Sequence, residues 1–184
     1  MVTRHLRPTT LFTSRTMAKN LLEETLDAWG YARTGVIDEL ENIPASDFGF
    51  RPSPHSRTTA ELAAHIIESG LLASGELTRK DGNFQRQSYP EFIEEYGGDR
   101  AKTRKKGELI KMLRTTFDEG VAAFRKRGDK EMMKPIVQFN GEPASRLTWL
   151  NHAIAHEEYH RGQLALYARL LGRVPALTKL IEGG

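Results

Sequence analysis

The chain has no cysteine. That excludes disulfides, thiolate zinc sites and a thiol nucleophile of the protein's own, and it fits a reducing compartment. No apolar run approaches the ~20 residues that span a bilayer. No signal-peptide apolar core opens the chain, and no internal repeat or low-complexity tract interrupts it. The first nineteen residues lack acid altogether while carrying Arg4, Arg7, Arg15 and Lys19. Without them 23 basic residues face 24 acidic ones, so the overall charge of +3 belongs to this segment. A cytoplasmic protein with no nucleic-acid and no membrane partner is expected. Residues 1–16 read as a disordered basic leader ahead of an alternative start at Met17.

What is present is enough for one sizeable domain, 17–184, with 39% hydrophobic residues over a length of 184. Leu22, Leu26, Trp29, Val36, Ile37 and Leu40 fall at helical spacing, predicting a helix from about Met17 to Leu40 that Pro44 ends. The link ending FGFRPSPHS cannot be regular helix, and its aromatics are expected against the bundle end. Thr58 with Glu61 spells a capping box, so a second helix runs to about Arg79, with His65 in its middle. Gly70 and Gly75 lower its propensity and ask for a neighbour passing close by. Residues 81–102 read as a crossover with some local structure. The basic run Arg100 to Lys106 reads as a solvated helix entrance.

A third helix is predicted over 103–127, with Leu109, Leu113, Phe117, Val121 and Phe124 inward and Gly128 at its C-terminal cap. Pro135, Asn140-Gly141 and Pro143 make a second long connection with a short hairpin at Asn-Gly. The fourth helix, 148–171, is closed by Gly172 and Pro175. The fold class is therefore all-α, a four-helix bundle with long crossover connections.

Three of the six histidines, at 152, 156 and 160, lie four residues apart on this last helix. At ~100° per residue they share one face, together with Trp149, Ala153, Leu164, Tyr167 and Leu171. Imidazoles along an inward stripe need partners, and a metal ion would satisfy several at once. Neighbours in the series are ~6 Å apart along the axis and can converge on one ion, whereas 152 and 160 are ~12 Å apart and cannot. Spacing leaves 152/156 and 156/160 open, with His65 as the candidate third ligand. Three histidines without cysteine describe an open site with room for water or substrate. His152 otherwise reads as a pocket wall, a support behind the ligands or plain core. His5 and His55 read as surface or loop residues.

His156-Glu157-Glu158-Tyr159-His160 also spells the H-E-x-x-H of zinc metalloproteases. The metzincin extension fails, because Gly162 falls one residue early and no third histidine follows. No strand-rich segment offers an edge to a peptide. Glu157 lies ~100° from His156 around the helix, so it is expected to face solvent or to support the ligands from behind.

The run HEEYHRGQL at 156–164, continued by YARLLG at 167–172, resembles the signature of the DinB/YfiT-like metalloenzyme superfamily. Arg51-Pro52-Ser53-Pro54, then Thr59 to Ile66, resembles that family's second-helix motif. The resemblance spans about 18–172. It implies a four-helix bundle with a long crossover, a homodimer, and a divalent metal at one end held by His65, His156 and His160. Arg161, Gly162 and Gln163 match the motif as well. Gly162 is expected to allow close helix approach, and the other two to make structural or dimer contacts.

Imidazole ligation suits zinc, nickel, copper and iron alike; zinc or nickel is expected first, then iron or manganese. Characterised members of the superfamily include transferases and isomerases that use small thiols such as bacillithiol or mycothiol. The resemblance thus implies a small-molecule substrate with a small-thiol cosubstrate, and S-transfer to an electrophile. The alternatives are a metal-dependent hydrolase on the same site and a non-catalytic, stress-associated binding module.

Overall fold

The computed structural model describes residues 20–183. The expected leader, 1–16, and His5 lie outside the described residues. Four long helices form the bundle: α1 (Leu21–Asn42), α2 (Thr59–Thr78), α4 (Lys106–Arg127) and α6 (Arg146–Leu170). Shorter elements fill the connections: α3 (Tyr89–Tyr96), α5 (Asp129–Met132), strands β1 (Pro135–Val137) and β2 (Pro143–Ser145), and α7 (Ala176–Glu182). The all-α bundle read from the sequence is the fold.

Local chemistry sets the boundaries. Asn20 accepts from the Glu23 amide at 2.9 Å, so α1 starts at Leu21, later than apolar spacing alone predicts. Thr58 and Glu61 form the expected reciprocal capping box, at 3.1 and 2.7 Å. Gly128 ends α4 with φ +82°. Ser145 caps α6 through the Thr148 amide at 3.0 Å, which starts that helix at Arg146. The hairpin at Asn140-Gly141 is present, with Pro135 opposite Ser145 and Val137 opposite Pro143. Pro175 precedes α7, whose first amides donate to the buried Glu39 carboxylate, Ala176 at 3.0 Å.

Each of α1 and α2 packs against both α4 and α6, so α1 and α2 occupy one diagonal of the bundle. The core divides into two clusters. One gathers Val36, Leu40, Ile66, Ile67, Leu113 and Leu164, with Phe48 of the proline-rich link; the other gathers Leu26, Trp29, Leu77, Phe84, Phe124 and Leu150. A polar layer crosses the bundle between them.

The crossover after α2 is pinned by the fully buried Glu76. Its carboxylate accepts from the Asn83 amide at 2.6 Å, from Arg86 at 2.7 Å and from the Tyr96 hydroxyl at 2.7 Å. Gly75 lets the Tyr96 ring lie directly on α2, where a Cβ would come within 2.3 Å of it. That is the close neighbour expected at Gly75. The basic run at 100–106 sits at the entrance to α4, where Arg100 pairs with Glu119 at 2.8 Å.

Candidate metal centre

His65 reaches inward from α2 and meets His156 and His160 of α6. The Nε2 atoms of His65 and His156 are 3.3 Å apart, and those of His156 and His160 are 3.0 Å apart. One ring nitrogen from each of the three lies within 4.8 Å of the others, an arrangement that could hold a metal ion. The centre lies mid-length on α6, between Leu150 of one core cluster and Leu164 of the other, and not at an end of the bundle. His160 is buried; His65 and His156 are half-buried.

Proton placement makes this cluster incomplete on its own. His160 Nδ1 donates to Oε1 of Gln163 at 2.9 Å, which leaves its Nε2 as a bare acceptor. His156 Nε2 faces that acceptor and the Nε2 of His65 together. In neutral imidazoles one ring nitrogen carries the single proton, so His156 Nε2 can make a well-directed hydrogen bond to only one of the two, and the other contact lacks a matched donor and acceptor. A cation accepting from all three removes the conflict. Protonation is no escape, because burial pushes the imidazolium forms down. His65 falls to about 3, through burial first, then the charge of Arg57 and of the other two rings. Burial, then His160 and Arg57, takes His156 to about 4. His160 is also lowered, by burial partly offset by its bond to Gln163.

Glu157, adjacent to His156 in sequence, faces away from this cluster into the bundle. It is 3% exposed, so the solvent-facing alternative does not hold. Its carboxylate accepts from Trp29 Nε1 at 2.8 Å and from Arg33, through Nε and, at 3.1 Å, through Nη2. Arg33 is itself completed by the Leu113 carbonyl at 2.7 Å and Thr116 Oγ1 at 3.3 Å. Gly70 makes room for this guanidinium, since a Cβ there would stand 2.9 Å from Nη2. With its carboxylate so occupied, Glu157 is not poised as the free general base that H-E-x-x-H requires.

His152 is exposed and separate from the three converging rings; it packs edge-on against Trp149, with centroids 5.2 Å apart. Both line an apolar slot of about 200 Å³ that reaches His156, walled by Leu77, Phe84, Tyr89 and Phe139. On the other side, His65 opens to a polar cleft of about 390 Å³ lined by Arg51, Arg57, Glu61, Glu68 and Arg104. His55 is exposed at its rim.

Gln163 makes its structural contact with a histidine of the cluster. Arg161 is also structural: it lies against Gly35 and over the Tyr31 ring at 4.9 Å, and it pairs with Glu158 at 3.1 Å. Gly162 corrects its expectation. It is exposed, and apart from its chain neighbours and its own helix backbone no described atom lies within 4 Å of where its Cβ would be, so no other described helix approaches it.

Sequence reading missed the Arg33–Glu157 pair and Glu68. Arg33 carried a signal, being a charge set between Trp29 and Val36 on the apolar face of α1. Glu68 carried one too, one helical turn beyond His65.

Among curated proteins none matches the chain. Several solved structures share its fold. A DinB-like protein, YjoA, from Bacillus subtilis is 21% identical with TM-score 0.61, over 82% of this chain and 93% of that one. YfiT from Bacillus subtilis, described as a probable metal-dependent hydrolase with an unusual four-helix bundle topology, is 13% identical with TM-score 0.67, over 91% and 94%. A mycothiol-dependent maleylpyruvate isomerase is 16% identical with TM-score 0.62, over 78% of this chain and 60% of that one. The family model of DinB matches residues 17–182. The histidine-bearing bundle described above is thus a member of the DinB family.

Proposed function

We propose that the protein is a divalent-metal-dependent enzyme that transfers a small thiol to an electrophilic small molecule, with His65, His156 and His160 as the metal ligands. The observation that carries this reading is the proton conflict at His156, whose Nε2 meets two other Nε2 atoms while Gln163 holds the remaining donor of His160. We infer zinc or nickel as the ion, with iron or manganese as alternatives, since imidazole ligands alone do not choose among divalent metals. Such an ion lowers the pKa of a thiol or water beside it.

The histidines face two cavities, so a thiol and its electrophile can approach from different sides. In the transfer the sulfur forms a bond to carbon as the bond to the leaving group breaks. The leaving group departs with that electron pair, and the thiol proton passes to water. The chain has no cysteine, so the sulfur comes from the cosubstrate. The mycothiol dependence of the similarly folded isomerase favours thiol chemistry. The hydrolase description of YfiT favours the second reading, hydrolysis at the same histidines. A non-catalytic binding module is the third. We also infer a homodimer, because Tyr159, Gly162, Leu166 and Leu170 lie exposed along one outer strip of α6.

Metal content of the purified protein by mass spectrometry, beside His156→Ala, tests the common premise. About one ion per chain, lost in the variant, is expected; a wild-type protein that stays metal-free after reconstitution would overturn it. Consumption of bacillithiol, mycothiol or glutathione with monochlorobimane supports transfer. Metal-dependent ester or amide cleavage without thiol consumption moves the assignment to hydrolysis, and full occupancy without turnover moves it to a binding module. No helix among the described residues is long and apolar enough to cross a membrane, and the protein is expected to work in the cytoplasm on small molecules.

A further inference from the structure

The two cavities that meet at the histidines differ in chemistry. No residue lining the slot on the His156 side is Asp, Glu, Lys or Arg. The cleft on the His65 side is lined by three arginines and two glutamates. Much of that charge is already used: Arg51 pairs with Glu61 at 3.3 Å, and Glu61 caps α2. Arg104 is also engaged.

Two charges remain available. Arg57 is exposed and donates no side-chain hydrogen bond to any described residue, yet its charge is felt by His65, His156 and His160 together. Its backbone is held in place: the Tyr167 hydroxyl of α6 donates to the Arg57 carbonyl at 3.0 Å. Glu68 is half-buried, one helical turn beyond His65, and accepts no hydrogen bond from any described residue. Burial pushes its carboxyl up, and Arg104 and Arg57 pull it back down. A half-buried carboxylate without a donor is costly unless a ligand supplies one. A cation and an anion of this kind, in one cleft that ends on His65, match a ligand carrying both charges.

We propose that the cleft binds the thiol cosubstrate as a zwitterion, its carboxylate on Arg57 and its ammonium on Glu68, so that its sulfur is delivered to the histidines. The uncharged part of the electrophile then occupies the aromatic slot beside His156. This rests on the thiol-transfer reading above. Arg57 and Glu68 are binding residues here, with no part in bond making.

The test titrates L-cysteine, cysteamine, 3-mercaptopropionate and 2-mercaptoethanol into cobalt-loaded protein, followed by calorimetry and by the thiolate–cobalt absorption band. These probes carry both charges, ammonium alone, carboxylate alone, and neither. L-Cysteine should bind tightest, with each missing charge weakening Kd about tenfold. Arg57→Gln should abolish the advantage of L-cysteine over cysteamine, and Glu68→Gln its advantage over 3-mercaptopropionate. Equal affinity for all four thiols, or a variant that weakens all four alike, overturns the proposal. Failure of the metal reading shows separately, as absence of both cobalt and the band with 2-mercaptoethanol. In that case L-serine, ethanolamine and 3-hydroxypropionate read the cleft in metal-free protein. Preference for L-serine, lost in the two variants, keeps the zwitterion assignment; equal affinity ends it.

Discussion

Two polar clusters meet on α6 at consecutive residues. Glu157 faces Arg33 and Trp29, and every contact in that cluster joins a donor to an acceptor. His156 faces His65 and His160, where nitrogen meets nitrogen and one contact lacks a matched donor and acceptor. Both clusters sit in the polar layer between the two halves of the core. Burial therefore does not separate a structural polar group from a functional one, but satisfaction does. The first cluster is complete within the chain; the second leaves a contact unsatisfied, which a bound cation would complete.

The largest expected effect breaks the complete cluster. Glu157→Ala strands a guanidinium that is 2% exposed, and removing one partner of such a pair costs about 3–5 kcal/mol. For a chain of this size that is a fall in Tm of roughly 10 °C. Replacing both partners, as Arg33→Met with Glu157→Leu, should recover most of the loss, because an apolar pair avoids the desolvation of two buried charges. Calorimetric melting of the three proteins checks this. If the single variant melts like the wild type, the pair does not stabilise the bundle and the contrast with the histidines fails.

Next comes the one ready-made bond of the incomplete cluster. Gln163→Leu removes the acceptor that fixes His160 with its proton on Nδ1. Metal affinity should drop by about 10–100-fold, the usual effect of losing a partner that orients a ligand. Metal-free stability should change much less, since Gln163 is only half-buried. Competition with a fluorescent chelator measures the affinity, and an unchanged value would mean that the tautomer is fixed by other contacts.

Acid should separate the clusters further. In metal-free protein His65 binds its proton near 3 and His156 near 4, whereas unfolded imidazoles bind theirs near 6.5. Between those limits the unfolded chain holds more protons, so stability rises with pH across the window. The contribution is complete above about pH 6.5 and is lost progressively as the pH falls towards 4 and then 3. Melting temperatures from pH 7.5 to 4.5 should therefore fall less steeply in a His65→Gln/His156→Gln variant than in the wild type. Parallel curves would show that the rings are not held neutral by the fold.

The bundle was legible because its signals are local. Apolar residues recur at helical spacing, Thr58 and Glu61 spell a cap, and Asn140-Gly141 spells a turn. The pairing of His156 with His160 was partly legible, since axial rise excluded only 152 with 160. The rest depended on which way neighbouring helices turn. Nothing local says that Glu157, one residue from His156, meets Arg33 across the bundle. The same holds for Glu68, whose meaning lies in sharing a cleft with Arg57. A charge becomes informative only when its partner, or the lack of one, is known in space.

The smallest effect is expected on the remaining face of α6, which supplies the control for both clusters. Gly162 sits there with open space where a Cβ would go, inside a helix and exposed. Gly162→Ala therefore adds helix propensity without a clash, and in an isolated chain it should stabilise by about 0.5–1 kcal/mol. Metal affinity should be unchanged, because neither the histidines nor Arg33 and Glu157 are touched. Beside it, Tyr159, Leu166 and Leu170 are exposed along the same strip, so a second copy packing there would bring backbone close to Gly162. A methyl group would then obstruct association, and the sign would reverse. Melting measured across a range of protein concentrations distinguishes the two cases. A concentration-independent gain means that this face is solvent, whereas a loss that grows with protein concentration and shrinks on dilution means that the glycine is kept for a partner chain.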